Sequence, residues 1–434
     1  MIQQLGIIGA GESGVAAALL AQDKSWNVFV SDYGIIAPHY KKELEEVGIE
    51  FEEGMHDLDR LKQMDLIVKS PGVSSKVKII QELIECKVSI VSEIDFASLY
   101  FDGVIIAITG SNGKTTTSSL IYEIFAKAGK DCCLAGNIGT AFARAVKNKK
   151  YDYAILEVSS FQLEDLQNFH PKVAVLTNIT EDHLDRYEYD IDKYAQAKMN
   201  ITFFQTSDDH LIYNLDDHIT GEILSEGKFL PMMIGLGKND FSQYLHDARG
   251  KKYQYNIVGT HNEYNISMAV CVARYFEISD NAIREALLHF QPIEHRMELV
   301  LEHMGIKYIN DSKATNVDSV YYALEGINGK IIWIVGGVDK GNDYSVLLDL
   351  VLEKVKQIII LSKHPENIIA AFGATGIPIW QTEETKSAVE YANRHAESED
   401  YVLLSPACAS FDLYSNYEER GNQFKQQVKN LKSS

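Results

Sequence analysis

One short segment constrains this chain more than any other. The apolar run VIIAIT (Val104 to Thr109) passes directly into GSNGKTT (Gly110 to Thr116) and then into the helical pattern TSSLIYEIFAKAG. A strand, a glycine-rich turn and a helix N-terminus in succession aim backbone N–H groups and the helix dipole at one point, which makes an anion site. In such a turn Gly110, Ser111, Asn112 and Gly113 wrap phosphate oxygens, while Lys114 brings a charge to the β- and γ-phosphates. Thr115 and Thr116 open the helix, and the Thr115 hydroxyl is placed to ligate Mg2+. The wider G-x-x-x-x-G-K pattern is incomplete, with Ile108 where its first Gly would stand. A glycine turn beside a surface lysine is the plainer alternative; the flanking strand and helix favour the phosphate site. No N-K-x-D guanine signature accompanies it, so ATP is favoured over GTP.

Around this segment, short β-rich runs alternate with helical patterns, which predicts an α/β chain with largely parallel sheets. LGIIGA, NVFVSD and DLIVKS form a first series, VIIAITG, YAILEV and VAVLTNI a second, and KIIWIVGG, QIIILS and YVLLSP a third. The expectation is three domains: Rossmann-like over residues 1–95, a central P-loop mononucleotide-binding domain over 96–296, and a C-terminal Rossmann-like domain over 297–434. FLPMMIGLG and KKYQYNIVG are further strand candidates in the less regular stretch 207–260.

Charge and cysteine usage narrow the setting. A net charge of -20 with no long Lys/Arg run argues against nucleic acid as a main partner. Lys147, Lys149 and Lys150 read as a solvated helix end. Five cysteines, an odd number without C-x-x-C spacing, suit a reducing cytoplasm. No run of 18 apolar residues occurs, so no membrane span is expected.

Two further residues accompany the phosphate turn. Glu157 ends the run YAILEV, and His183 follows VAVLTNI within TEDHLDRY. Ligands of open α/β sheets gather beyond the carboxyl ends of strands, so both are candidates for one site with the triphosphate and its metal. An exposed strand end and an ordinary loop histidine are the plain alternatives. Lys198 shares a helix face with Tyr194, four residues earlier; a solvated lysine is its default reading.

Near the N-terminus, Gly9, Gly11 and Gly14 form G-x-G-x-x-G after the run LGIIG, and Asp32 ends the next run. This is the dinucleotide fingerprint and makes an NAD-dependent dehydrogenase a rival. A domain of about 95 residues holds only one mononucleotide-binding half, so a nucleotide diphosphate of unspecified base is the preferred ligand. Cys408, in SPACAS, has no histidine placed to activate it and reads as buried structure.

Taken in order, these motifs resemble the Mur-ligase family. The likeness runs through GxGxxG, SPGV (Ser70 to Val73), GSNGKTT, GNIGT (Gly136 to Thr140), EVSSFQLE (Glu157 to Glu164) and NITEDHLDRY (Asn178 to Tyr187). It continues through the Lys198 helix, THNEYN (Thr260 to Asn265), EHRME (Glu294 to Glu298), NDSKATN (Asn310 to Asn316), GGVDKG and SPACASFD (Ser405 to Asp412). The last three point to the branch that adds D-glutamate.

The resemblance implies a division of labour. Gly9, Gly11, Glu12, Ser13, Gly14, Asp32, Ser70, Pro71, Gly72 and Asn137 would hold a UDP-sugar. The turn from Gly110 to Thr116, with Asn262, Arg296 and Asp311, would hold ATP. Thr115 and Glu157 would serve one Mg2+, and His183 with a carbamylated Lys198 a second. Lys313, Thr315, Lys340, Ser410 and Tyr417 would surround D-glutamate; Tyr417 stands where the family often has Phe. The implied reaction is an ATP-dependent coupling of D-glutamate to UDP-N-acetylmuramoyl-L-alanine through an acyl phosphate. Lys114, Glu157, His183 and Lys198 would be catalytic, in a cytoplasmic monomer that contributes to peptidoglycan synthesis. Another Mur-type or folylpolyglutamate-type ligase, and a non-enzymatic nucleotide switch, remain as alternatives.

Overall fold

The computed structural model describes residues 3–227, 229–257, 259–291 and 294–433. Three sheets follow one another along the chain. The first contains β1 (Gln4–Ile8), β2 (Asn27–Asp32), β3 (Glu50–Glu53), β4 (Leu66–Lys69) and β5 (Ile90–Ser92) in the order 3-2-1-4-5, all parallel. The second contains β6 (Val104–Thr109), β7 (Cys132–Gly136), β8 (Tyr153–Glu157), β9 (Val173–Leu176), β10 (His210–Asn214) and β11 (Met232–Leu236) in the order 11-10-9-6-8-7, also parallel. The third contains β12 (Glu298–His303), β13 (Ile306–Asn310), β14 (Ile331–Val335), β15 (Val355–Leu361), β16 (Ile379–Thr382) and β17 (Tyr401–Leu404), ordered 12-13-17-14-15-16.

The strand sequences explain the architecture. A parallel sheet covered by helices on both faces buries every side chain, so its strands read as unbroken apolar runs without alternation. β9 (VAVL) and β14 (IIWIV) are buried at every position. Among the strands of the described residues, only β12 and β13 pair antiparallel. They are joined by the two-residue turn Met304-Gly305, with φ of 53° and 79°, and this hairpin was not legible as a series of runs.

The described residues form two compact units. One holds the first two sheets and comprises the residues up to Ile179, Asp190–Tyr255 and Asn262–Phe290. The other holds the third sheet, with Thr180–Tyr189, Asn256–His261 and the residues from Gln291 onward. Among the described residues no helix is long and apolar enough to cross a membrane.

FLPMMIGLG supplies β11 as expected, whereas KKYQYNIVG does not supply a strand. Lys252 makes one isolated antiparallel bridge to His246, flanked by bonds from the Tyr253 amide to the Leu245 carbonyl at 2.8 Å and from the Asp247 amide to the Lys251 carbonyl at 2.9 Å, and the pairing goes no further. The segment has the alternation of a strand but no neighbouring ladder to join; Val258 lies outside the described residues.

Candidate functional site

The phosphate turn lies at the carboxyl end of β6, the strand flanked by β8 and β9. Gly110 has φ of 146°, and a Cβ there would stand 1.9 Å from Thr177 Oγ1. Gly113 has φ of 82° and caps the helix Lys114–Lys127 in the left-handed conformation. Glycine is needed at both places because an added side chain would meet strain and a neighbour together. Asn178, just past β9, accepts from the Asn112 amide through Oδ1 at 2.9 Å and so fixes the turn from the adjacent strand. Lys114 Nζ donates to the carbonyls of Gly110 and Ser111, each at 2.7 Å, which folds its charge back over the turn. Thr115 and Thr116 are buried at the helix start. On the helix Thr260–Tyr275, Asn265 Oδ1 accepts from Thr117 Oγ1 at 3.2 Å and Asn262 Oδ1 accepts from Asn265 Nδ2 at 3.2 Å. Asn262 is thereby brought beside the phosphate-turn helix.

Glu157 ends β8 directly opposite Ile108 of β6. It is buried, Oε1 accepts from Asn137 Nδ2 at 2.9 Å, and Oε2 has no partner among the described residues. The Asn137 amide also donates to the Glu157 carbonyl at 2.8 Å. An ionised carboxylate oxygen left bare inside a protein is costly unless a cation or donor joins it. This orphaned oxygen beside a phosphate turn fits a metal. No cluster of three or more His, Cys, Asp or Glu among the described residues is arranged to hold one. Mg2+ needs no such cage, because it keeps waters and takes one or two carboxylates plus phosphate oxygens.

Lys198 departs from the default of a solvated lysine. Its side chain is 2% exposed, its Nζ donates to the Gly110 carbonyl at 2.8 Å, and it lies 4.3 Å from the centre of the Tyr194 ring. The helix Ile191–Met199 thus brings this amine to the phosphate turn, and Tyr194 OH reaches Ser111 Oγ at 3.1 Å.

In the first sheet the glycine turn after β1 and Ser70 after β4 share the point where strand order reverses, the usual ligand crevice of such sheets. Gly9 has φ of 94°, and a Cβ on Gly14 would stand 1.9 Å from the Gly9 carbonyl oxygen. Ser70 Oγ donates to that same carbonyl at 2.8 Å. Asp32 is spent on the backbone, accepting from the amides of Ala10 at 2.6 Å and Gly34 at 2.7 Å. Gly11 and Gly72 face open space, while Ser13 and Pro71 are half-buried beside them. Glu12 pairs with Arg144.

The remaining candidates lie in the second unit. His183 sits in the loop Thr180–Tyr189 with φ of 54°, beside Asp182. Asp182 accepts from Lys340 Nζ at 3.0 Å and from Asn316 Nδ2 at 3.3 Å, and with His183, Tyr321 and Tyr322 it lines a cavity of about 370 Å3. Asp311 follows β13; burial pushes its carboxyl up to about 6, against the Arg296 charge and hydrogen bonds from Ser405 Oγ and the Met297 amide. Arg296 Nε is a buried donor with no partner among the described residues, and the guanidinium charge acts on the Asp311 carboxyl. Lys313 Nζ lies 5.5 Å from the Tyr417 ring centre, Thr315 is half-buried two residues on, and Ser410 is buried. Cys408 is buried with its thiol pushed up to about 11 by desolvation, as suits a structural cysteine.

Three residues of these sites carried too little signal to be singled out. Asn178 and Asp182 stand in NITEDHLDRY, at a strand end where site residues gather. Arg420 sits in an amphipathic helix and looks like any surface arginine. It is 1% exposed and donates to Ser312 Oγ, to the Ser312 and Cys408 carbonyls, and to the Gly336 carbonyl, over 2.9–3.3 Å. It therefore knits together the segments following β13, β14 and β17.

Comparison with known proteins agrees with this layout. Residues 4–79 match the family model of the MurD N-terminal domain, 108–273 the Mur ligase middle domain, and 295–408 the Mur ligase glutamate ligase domain. The chain is 42% identical over 446 residues to the UDP-N-acetylmuramoylalanine–D-glutamate ligase of Christiangramia forsetii, covering 99% of this chain and 100% of that protein. The protein of the same name from Bacteroides fragilis is 43% identical over 444 residues, covering 99% and 100%. Among solved structures, the UDP-N-acetylmuramate–alanine ligase of Thermotoga maritima shares the fold with a TM-score of 0.62 at 16% identity, over 99% of this chain and 100% of that one. An Escherichia coli FolC structure in complex with DHPP and ADP shares it with a TM-score of 0.55 at 17% identity, over 78% and 91%.

Proposed function

The chain belongs to the Mur-ligase family, and from that premise we propose that it joins D-glutamate to UDP-N-acetylmuramoyl-L-alanine. ATP is consumed, ADP and phosphate are released, and the product is a cytoplasmic peptidoglycan precursor. The observation that carries this reading is full-length identity of about 42% to ligases bearing that name. It is supported by the N-terminal glycine turn and its matching family model, which a folylpolyglutamate-type ligase is expected to lack.

The chemistry explains the parts. A carboxylate does not acylate an amine in water until it carries a leaving group better than hydroxide. An oxygen of the lactyl-alanine carboxylate attacks the γ-phosphorus in line, the bond to the β-phosphate oxygen breaks, and ADP departs. The D-glutamate amine then attacks the acyl carbon, loses its proton, and expels phosphate. Lys114 and the amides of residues 110–116 bind the triphosphate and offset charge on the transferring oxygens. Glu157, oriented by Asn137, would hold Mg2+ together with Thr115, and the ion would add further neutralisation of the phosphoryl group. CO2 added to Lys198 would convert a cation into an anionic oxygen ligand for a second such ion. Asn262, Arg296 and Asp311 are proposed for the nucleotide. Lys313, Thr315, Lys340, Ser410 and Tyr417 are proposed for D-glutamate, and His183 as a further metal ligand. The UDP-sugar is assigned chiefly to residues 1–95, ATP chiefly to 96–296 and the amino acid to 297–434.

The test is phosphate release from ATP by the purified chain. Release is expected only when UDP-N-acetylmuramoyl-L-alanine and D-glutamate are both present. Equal release with D-glutamate omitted, or with L-alanine or a folate substrate in its place, would overturn the assignment.

A further inference from the structure

Glu12 is the first residue of the helix Glu12–Asp23, and Gly11 caps that helix without a side-chain hydrogen bond. A carboxylate in a first turn is drawn to the open N–H groups of the helix start. Those are the groups a diphosphate would use. The Glu12 amide is one of them and can serve the UDP-sugar as the family resemblance implies, but its carboxylate, left to itself, would compete with the diphosphate and repel it.

The structure holds the carboxylate elsewhere. Arg144 takes both oxygens in a two-point pair, Nε to Oε1 at 2.8 Å and Nη2 to Oε2 at 2.9 Å. Its remaining nitrogen, Nη1, donates to Glu43 Oε2 at 2.7 Å, which fixes the plane of the guanidinium. Two carboxylates on one guanidinium satisfy its rigid fork in a way that lysine could not. The helix that carries Arg144, Phe142–Asn148, is itself fixed: Phe142 is fully buried, and the Ala143 amide donates to the buried Glu93 at 2.5 Å. The clamp therefore comes from a set position in the second sheet's helices, within the same compact unit.

We propose that Arg144 is a positioning residue of the diphosphate site, one that draws Glu12 off the helix N-terminus and offsets part of its charge so that the anion can bind. The inference rests on the reading of the glycine turn as the UDP-sugar site. Arg144 needs no contact with the ligand for this role; its effect passes through Glu12.

Calorimetric titration of the full chain with UDP, and separately with ATP, tests it. Arg144→Ala should weaken UDP binding about tenfold, equivalent to about 1.4 kcal/mol, and leave ATP binding unchanged. Adding Glu12→Gln to that variant should return most of the lost UDP affinity, because no carboxylate is then freed. A structural role alone predicts no such return, since both variants lack the clamp. A double variant as weak as Arg144→Ala, or an Arg144→Ala chain that binds UDP like the unaltered protein, overturns the proposal. Should Arg144→Ala fail to fold, Arg144→Gln carries the same comparison. An unaltered chain that binds no UDP overturns the site reading itself, an outcome distinct from failed rescue.

Discussion

Replacing Glu93 with glutamine removes one titrating group from the packing between the first and second sheets. The side chain is 1% exposed, Oε1 accepts from the Ala143 amide, and Oε2 has no partner among the described residues. Burial pushes this carboxyl from 4.5 to about 7; the Ala143 hydrogen bond opposes the rise and the Glu12 charge adds to it. The sign follows from proton counting. Between pH 4.5 and about 7 the folded chain holds a proton that the unfolded chain has lost, so stability falls as pH rises through that window. The protonated carboxyl contributes fully below 4.5, and its contribution is gone above about 7. At about 1.4 kcal/mol per decade, the effect totals about 3 kcal/mol. Trp26, whose ring packs at 6.0 Å between centres on Phe96 of the helix Glu93–Ser98 that carries Glu93, reports the transition. Urea denaturation from about pH 5 to about pH 8 should therefore show the unaltered chain losing about 2–3 kcal/mol relative to Glu93→Gln. Parallel curves for the two chains would refute the buried, protonated carboxyl.

Other expectations concern the sites. Glu157→Gln should cut kcat by about 100-fold or more, as loss of a group that stabilises transition-state charge does, while UDP binding by calorimetry stays unchanged. Lys198→Ala should lose most turnover, and the unaltered chain should slow reversibly in CO2-stripped buffer; insensitivity of both would remove the carbamate. Lys340→Ala breaks the pair with Asp182 and should raise KM for D-glutamate about tenfold or more, with KM for ATP unaltered, read by steady-state kinetics. Thiol-blocking reagents should leave activity intact as far as Cys408 is concerned, checked against Cys408→Ser, because its thiol is buried and pushed up to about 11.

How much of this was legible follows from what each feature depends on. The central strands of each sheet were readable because a doubly covered parallel sheet writes itself as apolar runs, whereas β3, β5, β7, β10 and β16, short and mostly at or next to sheet edges, were not. The two glycine turns were readable because only glycine tolerates the close approaches at Gly110 and Gly14. The β12–β13 hairpin was missed because β12 is largely exposed and carries charges, and Lys307 interrupts the otherwise buried β13, leaving no continuous apolar run. KKYQYNIVG misled in the opposite sense, since alternation says nothing about whether a partner edge is available. At the site, Lys114 and Glu157 follow from strand ends, which are local in sequence. Burial of Lys198 and Arg420, and the Arg144–Glu12 pair, arise from contacts between residues 88 to 132 positions apart. No local pattern encodes such meetings, and a lysine or arginine on an amphipathic helix looks the same whether its tip reaches water or a carbonyl.

The account turns on activation of the substrate carboxylate by phosphoryl transfer. UDP-N-acetylmuramoyl-L-alanine carrying 18O in both carboxylate oxygens, incubated with ATP, D-glutamate and the chain, tests this by mass analysis of the phosphate released. Each phosphate should carry one heavy oxygen, and the new amide should keep the other. Phosphate free of label, formed together with the amide product, would contradict the acyl phosphate.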